Sequence, residues 1–144
     1  MTTFIAQFKV GVVMALLGAS FFAPTSFAQA ATFSAVPVSI SGSGVLSMKP
    51  GEIKEVTAVV QNTSDVTWKN DGPGYISLYT YEPKYRVSQF DPGTWLSGTQ
   101  VKRIKESSVA SGKTATLVFQ LKAPAIVGDY VEVFQLASEG TAWV

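Results

Sequence analysis

The chain has 144 residues, 11 of them basic and 10 acidic, and it contains neither histidine nor cysteine. A net charge of +1 gives no electrostatic reason for nucleic acid or a stable anionic membrane contact, both of which call for a basic excess. Without histidine or cysteine there are no Ser-His-Asp or Cys-His nucleophile arrangements, no disulfides and none of the usual transition-metal ligand sets.

Residues 1–30 read as a secretory leader. Met1 to Lys9 carries one positive charge and no acid, and Val10 to Phe22 is apolar or small throughout. Ala28-Gln29-Ala30 then offers small residues at the two positions a signal peptidase reads. The run Val10–Phe22 is shorter than the roughly 20 residues a membrane helix needs, so cleavage after Ala30 is expected rather than a retained anchor. The 114 residues that remain, 31–144, balance ten basic against ten acidic groups. They suffice for one domain of about 100 residues, with a secreted, periplasmic or cell-surface location and no membrane insertion once the leader is gone.

Beyond the leader the apolar pattern has period two. The predicted strands are Ala35 to Ile40, Val45 to Met48, Lys54 to Asn62, Tyr75 to Tyr81, Val101 to Lys105, Thr114 to Lys122 and Tyr130 to Ala137. Thr114 to Lys122 is the clearest, with Ala115, Leu117, Phe119 and Leu121 on one face. In Lys54 to Asn62 the same face falls to Val56, Ala58 and Val60. Tyr130 to Ala137 is apolar or amphipathic on both faces apart from Glu132 and Gln135, which suits a central strand. Between the strands lie Ser41-Gly42-Ser43-Gly44, Lys49-Pro50-Gly51-Glu52, Asp71-Gly72-Pro73-Gly74, Asp91-Pro92-Gly93 and Ser111-Gly112-Lys113. Each is turn chemistry. About seven short strands with turns at this spacing, no helix after the leader and no internal repeat predict an all-β sandwich.

Two motifs carry a family resemblance. Asn62 and Thr63 stand ahead of Trp68, and Ala123-Pro124 is followed by Gly128, Tyr130 and the aromatic Phe134. The segment from about Gly51 to Tyr130 resembles the immunoglobulin-like "four-tryptophan" domain of the autophagy receptor Next to Breast Cancer Gene One, which has relatives in bacterial envelope proteins. Phe134 and Ala58 stand where that family usually has tryptophans. The resemblance implies an immunoglobulin-like antiparallel sandwich. In it Trp68 fills the space between sheets, Gly128 allows a turn, and the Tyr130 hydroxyl points to a backbone group. It also implies a terminal strand after Gly140 and Trp143, where this sequence stops. The expectation is a domain lacking its last strand, with an open edge prone to take a strand from another chain and to self-associate.

Catalytic motifs fail on inspection. Gly112-Lys113-Thr114 lacks the earlier glycine of a phosphate loop, since Ser107 stands there, and a strand follows it. No Ser-x-x-Lys occurs. Glu82 and Asp91 could form a carboxylate pair for a small hydrolase, against the simpler reading of solvated surface acids. Asp65, Asp71, Asp91 and Asp129 lack the spacing of a calcium loop and suit turns. Asn62-Thr63-Ser64 satisfies the glycosylation sequon. No cofactor or metal is expected.

One segment exceeds structural need. Tyr75, Tyr79, Tyr81, Tyr85, Phe90 and Trp95 crowd into 21 residues, with Lys84 and Arg86 among them. If Ile76 and Leu78 serve the core, the tyrosines of that strand face outward. Tyr79, Tyr81, Tyr85 and Trp95 are therefore the candidate ligand patch, the alternative being a loop packed down by its own aromatics. The reading is an exported, non-enzymatic interaction or structural module of the cell envelope that binds protein partners. A carbohydrate-binding accessory domain using the same aromatics is the alternative.

Overall fold

The computed structural model describes residues 2–8, as backbone, and residues 31–144. The expected apolar run and cleavage site, Val10–Phe22 and Ala28–Ala30, lie outside the described residues.

The strands, in chain order, are β1 (Thr2–Phe8), β2 (Ala35–Ile40), β3 (Val45–Met48), β4 (Ile53–Asn62), β5 (Trp68–Lys69), β6 (Ile76–Tyr81), β7 (Gln100–Arg103), β8 (Ser108–Val109), β9 (Thr114–Lys122), β10 (Asp129–Ser138) and β11 (Ala142–Trp143). The seven strands expected from periodicity are all present, within two residues at either end. A single 3₁₀ turn at Ser41–Gly44 is the only helical element among the described residues. β5, β8 and β11 are two residues each, too short for a repeating pattern to announce them.

The strands pack as a sandwich. One sheet has the order β3-β1-β10-β6-β7, with β11 joined to β10; the other is β2-β4-β9, and β5 pairs with β8 beside them. All pairings are antiparallel except that of β1 with β10, which is parallel. The inward positions are those the alternation selects: Val56, Ala58 and Val60 from β4, and Ala115, Leu117, Phe119 and Leu121 from β9. Opposite them stand Ile76 and Leu78 from β6 and Phe134 and Leu136 from β10. Phe134 sits at the centre, edge-on to Phe119 at 5.5 Å and to Trp95 at 6.0 Å. Burial of such side chains contributes about 1.5–3 kcal/mol each.

The motif residues serve this core. Trp68 is 1% exposed and its indole N–H donates to the Ser64 hydroxyl at 2.9 Å. Asn62 is fully buried, donating to the carbonyls of Val66 and Val109 and accepting the Ser64 N–H, each at 2.9 Å. Its amide nitrogen is thus committed to the fold, which makes the sequon structural. The Tyr130 hydroxyl donates to the Ile126 carbonyl at 2.8 Å, pinning the β9–β10 connection as expected. Gly128 is closely faced by the Tyr130 ring, 3.5 Å from where a Cβ would stand.

β10 is the central strand its two apolar faces predicted, and Glu132 within it is fully buried. The Arg86 guanidinium pairs with that carboxylate, and the Ser88 hydroxyl donates to it at 2.7 Å. A buried charge is tolerated only with such partners.

Sequence reading gave residues 2–8 no place in the fold beyond the leader. Here they form β1, with Phe4, Ala6 and Phe8 in register beside Tyr130, Glu132 and Phe134. Alternation over Phe4, Ala6 and Phe8, with Ile5 between, gives this stretch the strand character that its leader reading obscured.

Candidate functional site, an aromatic face on the outer sheet

Because Ile76 and Leu78 point into the core, the period of two turns Ser77, Tyr79 and Tyr81 to the other side of the sheet, where Ser77 and Tyr79 are covered, Tyr79 at 6% exposed, and Tyr81 is half-buried. The chain then reverses through Glu82, Pro83, Lys84 and Tyr85, with Glu82 and Tyr85 in the left-handed region at φ 65° and 59°. The Tyr85 N–H donates back to the Thr80 carbonyl at 3.3 Å, and the Thr80 hydroxyl holds the Arg86 carbonyl at 2.6 Å. This reversal lays Tyr85 beside Tyr79, with ring centres 5.6 Å apart and planes at 85°.

β11 brings a fourth ring. The turn at Glu139-Gly140, with Gly140 at φ 67°, folds Ala142–Trp143 back on β10. Trp143 then lies 5.9 Å from Tyr79, 5.1 Å from Tyr81 and 5.2 Å from Tyr85. The Lys84 ammonium stands 5.0 Å from the Trp143 ring centre and 5.5 Å from that of Tyr81. Such edge-to-face pairs add about 0.5–1.5 kcal/mol each beyond their buried area. Tyr79 is the floor of the cluster: its hydroxyl donates to the Glu139 carboxylate. Burial and that neighbouring carboxylate push the phenol far above its ordinary 10.0, so it stays a neutral donor. Tyr85, at 58% exposed, is the outermost ring.

A second cationic-aromatic pair continues the face toward β7. The Arg103 guanidinium lies 3.8 Å from the Tyr75 ring centre and pairs with Asp71 at 3.1 Å. Gln100 donates from one nitrogen to the Tyr75 hydroxyl and the Ser77 hydroxyl, both at 3.1 Å.

Three of the four residues expected in the patch are therefore together, and the fourth is elsewhere. Trp95 is only 8% exposed, packed on Phe134, with its indole N–H donating to the Gln120 carbonyl at 2.8 Å. The β6–β7 loop folds down across the open side of the sandwich and covers the outer edge of β9. The Lys122 N–H reaches the Phe90 carbonyl at 2.9 Å, and the segment after β7 covers the other end of that edge, the Thr116 N–H reaching the Glu106 carboxylate at 2.8 Å. Phe90 and Trp95 anchor that loop in the core between the sheets; the Gln120 carbonyl on the edge strand lets the indole be buried with its N–H satisfied. Trp143 takes the place assigned to Trp95. The available signal was a Gly140 turn followed by one outward aromatic.

The acids considered for chemistry lie in turns and at strand ends. Glu82 closes β6, while Asp91 accepts the Gly93 N–H at 2.7 Å within its own turn. Asp65 accepts the Thr32 N–H at 2.9 Å and Asp71 holds Arg103. Among the described residues no three acidic side chains come together as a metal-binding group, and no helix is long and apolar enough to cross a membrane. Compared with protein-family models, with curated proteins and with solved structures, the chain matches none.

Proposed function

We propose that the chain is an exported, non-enzymatic interaction module with an immunoglobulin-like fold, which binds a protein partner of the cell envelope through the face formed by Tyr79, Tyr81, Tyr85 and Trp143. The observation that carries this reading is the arrangement of those rings around Lys84. Four aromatics on an outer sheet face exceed what the core needs, and the cluster ends in an exposed Tyr85 and a cation. Rigid rings give contact area at low entropic cost, the property that enriches tyrosine and tryptophan at interfaces.

Tyr79 meets Tyr85 and Trp143 edge to face, as Tyr81 does Trp143, at interplanar angles from 67° to 85°, and Tyr85 is tilted on Trp143 at 51°. A flat ring free on one side is what a sugar stacks on, and Lys84 already stands over Trp143 and Tyr81. That geometry favours a protein surface, with an acidic group opposite Lys84, over a glycan. The test is retention of the immobilised chain by an envelope fraction. Loss of retention after protease treatment, and in Tyr85→Ala and Lys84→Ala, supports the reading. Retention that survives protease and is displaced by free saccharides transfers the site to the glycan alternative. Retention indifferent to both variants removes the face from function.

A further inference from the structure

The lane between β3 and β10 is a site in its own right. Among the described residues β3 has one strand neighbour, β1, and the edge of β10 from Asp129 to Phe134 also pairs with β1 alone. Further along that edge, β11 takes Ala137 and Ser138, and the Val144 N–H donates to the Leu136 carbonyl at 2.9 Å. β6 occupies the opposite edge. The lane is thus a slot six residues long, roofed by a strand on each side. Emptied, it would leave a row of unpaired backbone groups along β10 and detach β3 from the sheet.

Its walls define what fits. On the inner face stand Leu46 and Met48 from β3 and Tyr130, Glu132 and Phe134 from β10, with Phe119 and Phe90 packed behind Phe134 and Tyr130. The resident strand puts Phe4 in register with both Leu46 and Tyr130, Ala6 with Glu132 and Phe8 with Phe134. On the outer face Ile5 is in register with Val45 and Val131, which are 47% and 56% exposed. Two large apolar positions, separated by a small one beside the buried carboxylate, are the chemical specification of an occupant. The walls of the slot come from residues 45–48 and 129–134, far in sequence from the resident, so the slot itself does not require a strand of the same chain.

We propose that this lane is a strand-receiving site, which takes an extended segment of another polypeptide running parallel to β10. Its side chains are large and apolar at the Phe4 and Phe8 positions and small at the Ala6 position. Thr2–Phe8 is the resident that such a segment replaces. Main-chain pairing supplies affinity and the alternate side chains supply selection, the physics of strand addition. While the resident is tethered it competes at an effective concentration on the order of millimolar, so occupancy by another chain follows its release. The site is independent of the outer aromatic face, and its failure would leave that reading intact.

The probe is a synthetic peptide of residues 2–8, used with the full chain carrying Ile5→Pro, since proline cannot pair within a ladder. Amide exchange at β3 and at 129–134 should accelerate by roughly tenfold or more in the variant and be restored by the peptide, saturating at one per chain. A peptide with Phe4→Asp and Phe8→Asp should not restore it. A second arm reads the register directly, in the same Ile5→Pro chain with its resident released. The chain has no cysteine, so Val131→Cys is tested in it with peptides carrying Ile5→Cys or Ala6→Cys, each supplied as its disulfide with thionitrobenzoate, which the new thiolate at position 131 displaces as the leaving group. The first should form the mixed disulfide faster, by about tenfold, because only its register faces position 131. Unchanged protection in the proline variant, equal restoration by both peptides, equal disulfide rates, or full protection through dimerisation without peptide would each overturn the proposal.

Discussion

Trp68 and Trp95 show what a single side chain reveals and hides. The motif around Trp68 marked it as core, and it is; Trp95, flanked by Gly93 and Gly98, reads as a surface residue and is buried instead. The difference lies in a long-range partner, the Gln120 carbonyl, which no local pattern encodes. Trp68→Ala and Trp95→Ala should therefore each cost about 3–5 kcal/mol in chemical denaturation, the range for emptying a large aromatic site. A markedly smaller loss at Trp95 would put its ring back on the surface. Glu106 gives a pH handle. Burial pushes its carboxyl up, but the hydrogen bonds from Thr116 outweigh that and hold it below the ordinary 4.5. A carboxyl whose folded value is depressed stabilises the fold above its unfolded value, and that contribution is lost as pH falls through the folded value. Glu106→Gln should lower stability at pH 7 and flatten the decline below about pH 4.5, as urea unfolding at both pH values would show. A parallel decline in both proteins would mean that the Thr116 contact contributes nothing.

At the scale of elements, period-two alternation was enough for seven strands, because each of them buries one face or both. It was silent on β5, β8 and β11, whose two-residue pairings depend on partners 40 residues away or on a turn at Gly140. It was silent on β1 as well, since a stretch read as part of a leader was not read for its alternation. Ordering of the sheets follows from burial. β4 lies between β2 and β9 with nine register pairs to β9, whose far edge the β6–β7 loop and the segment after β7 cover. β2 is an edge strand with Pro37 and a register shift between Pro37 and Ser39, features that blunt an edge. Amides of β4 and β9 should accordingly exchange slowest, and those of β2, β5 and β8 fastest. Protection of β2 equal to that of β4 would require a cover on its outer edge.

For the molecule as a whole, the sandwich separates two populations of aromatic residues. Phe90, Trp95, Phe119, Phe134 and Trp68 fill the space between the sheets, while Tyr79, Tyr81, Tyr85 and Trp143 gather on the outer face. Tyr79 and Tyr81 were legible from alternation with Ile76 and Leu78, and Tyr85 from the density of aromatics that follows them. Trp143 was not, because its membership depends on β11 folding back across β10. The most direct measurement of the binding account is Tyr85→Ala and Lys84→Ala, each followed in parallel by urea unfolding and by retention on the envelope protein fraction. The account predicts a retention loss of at least tenfold, about 1.4 kcal/mol, with an unfolding midpoint close to that of the parent chain. A midpoint that falls in step with retention would contradict it, because these groups would then be packing for the outer sheet and not a binding surface.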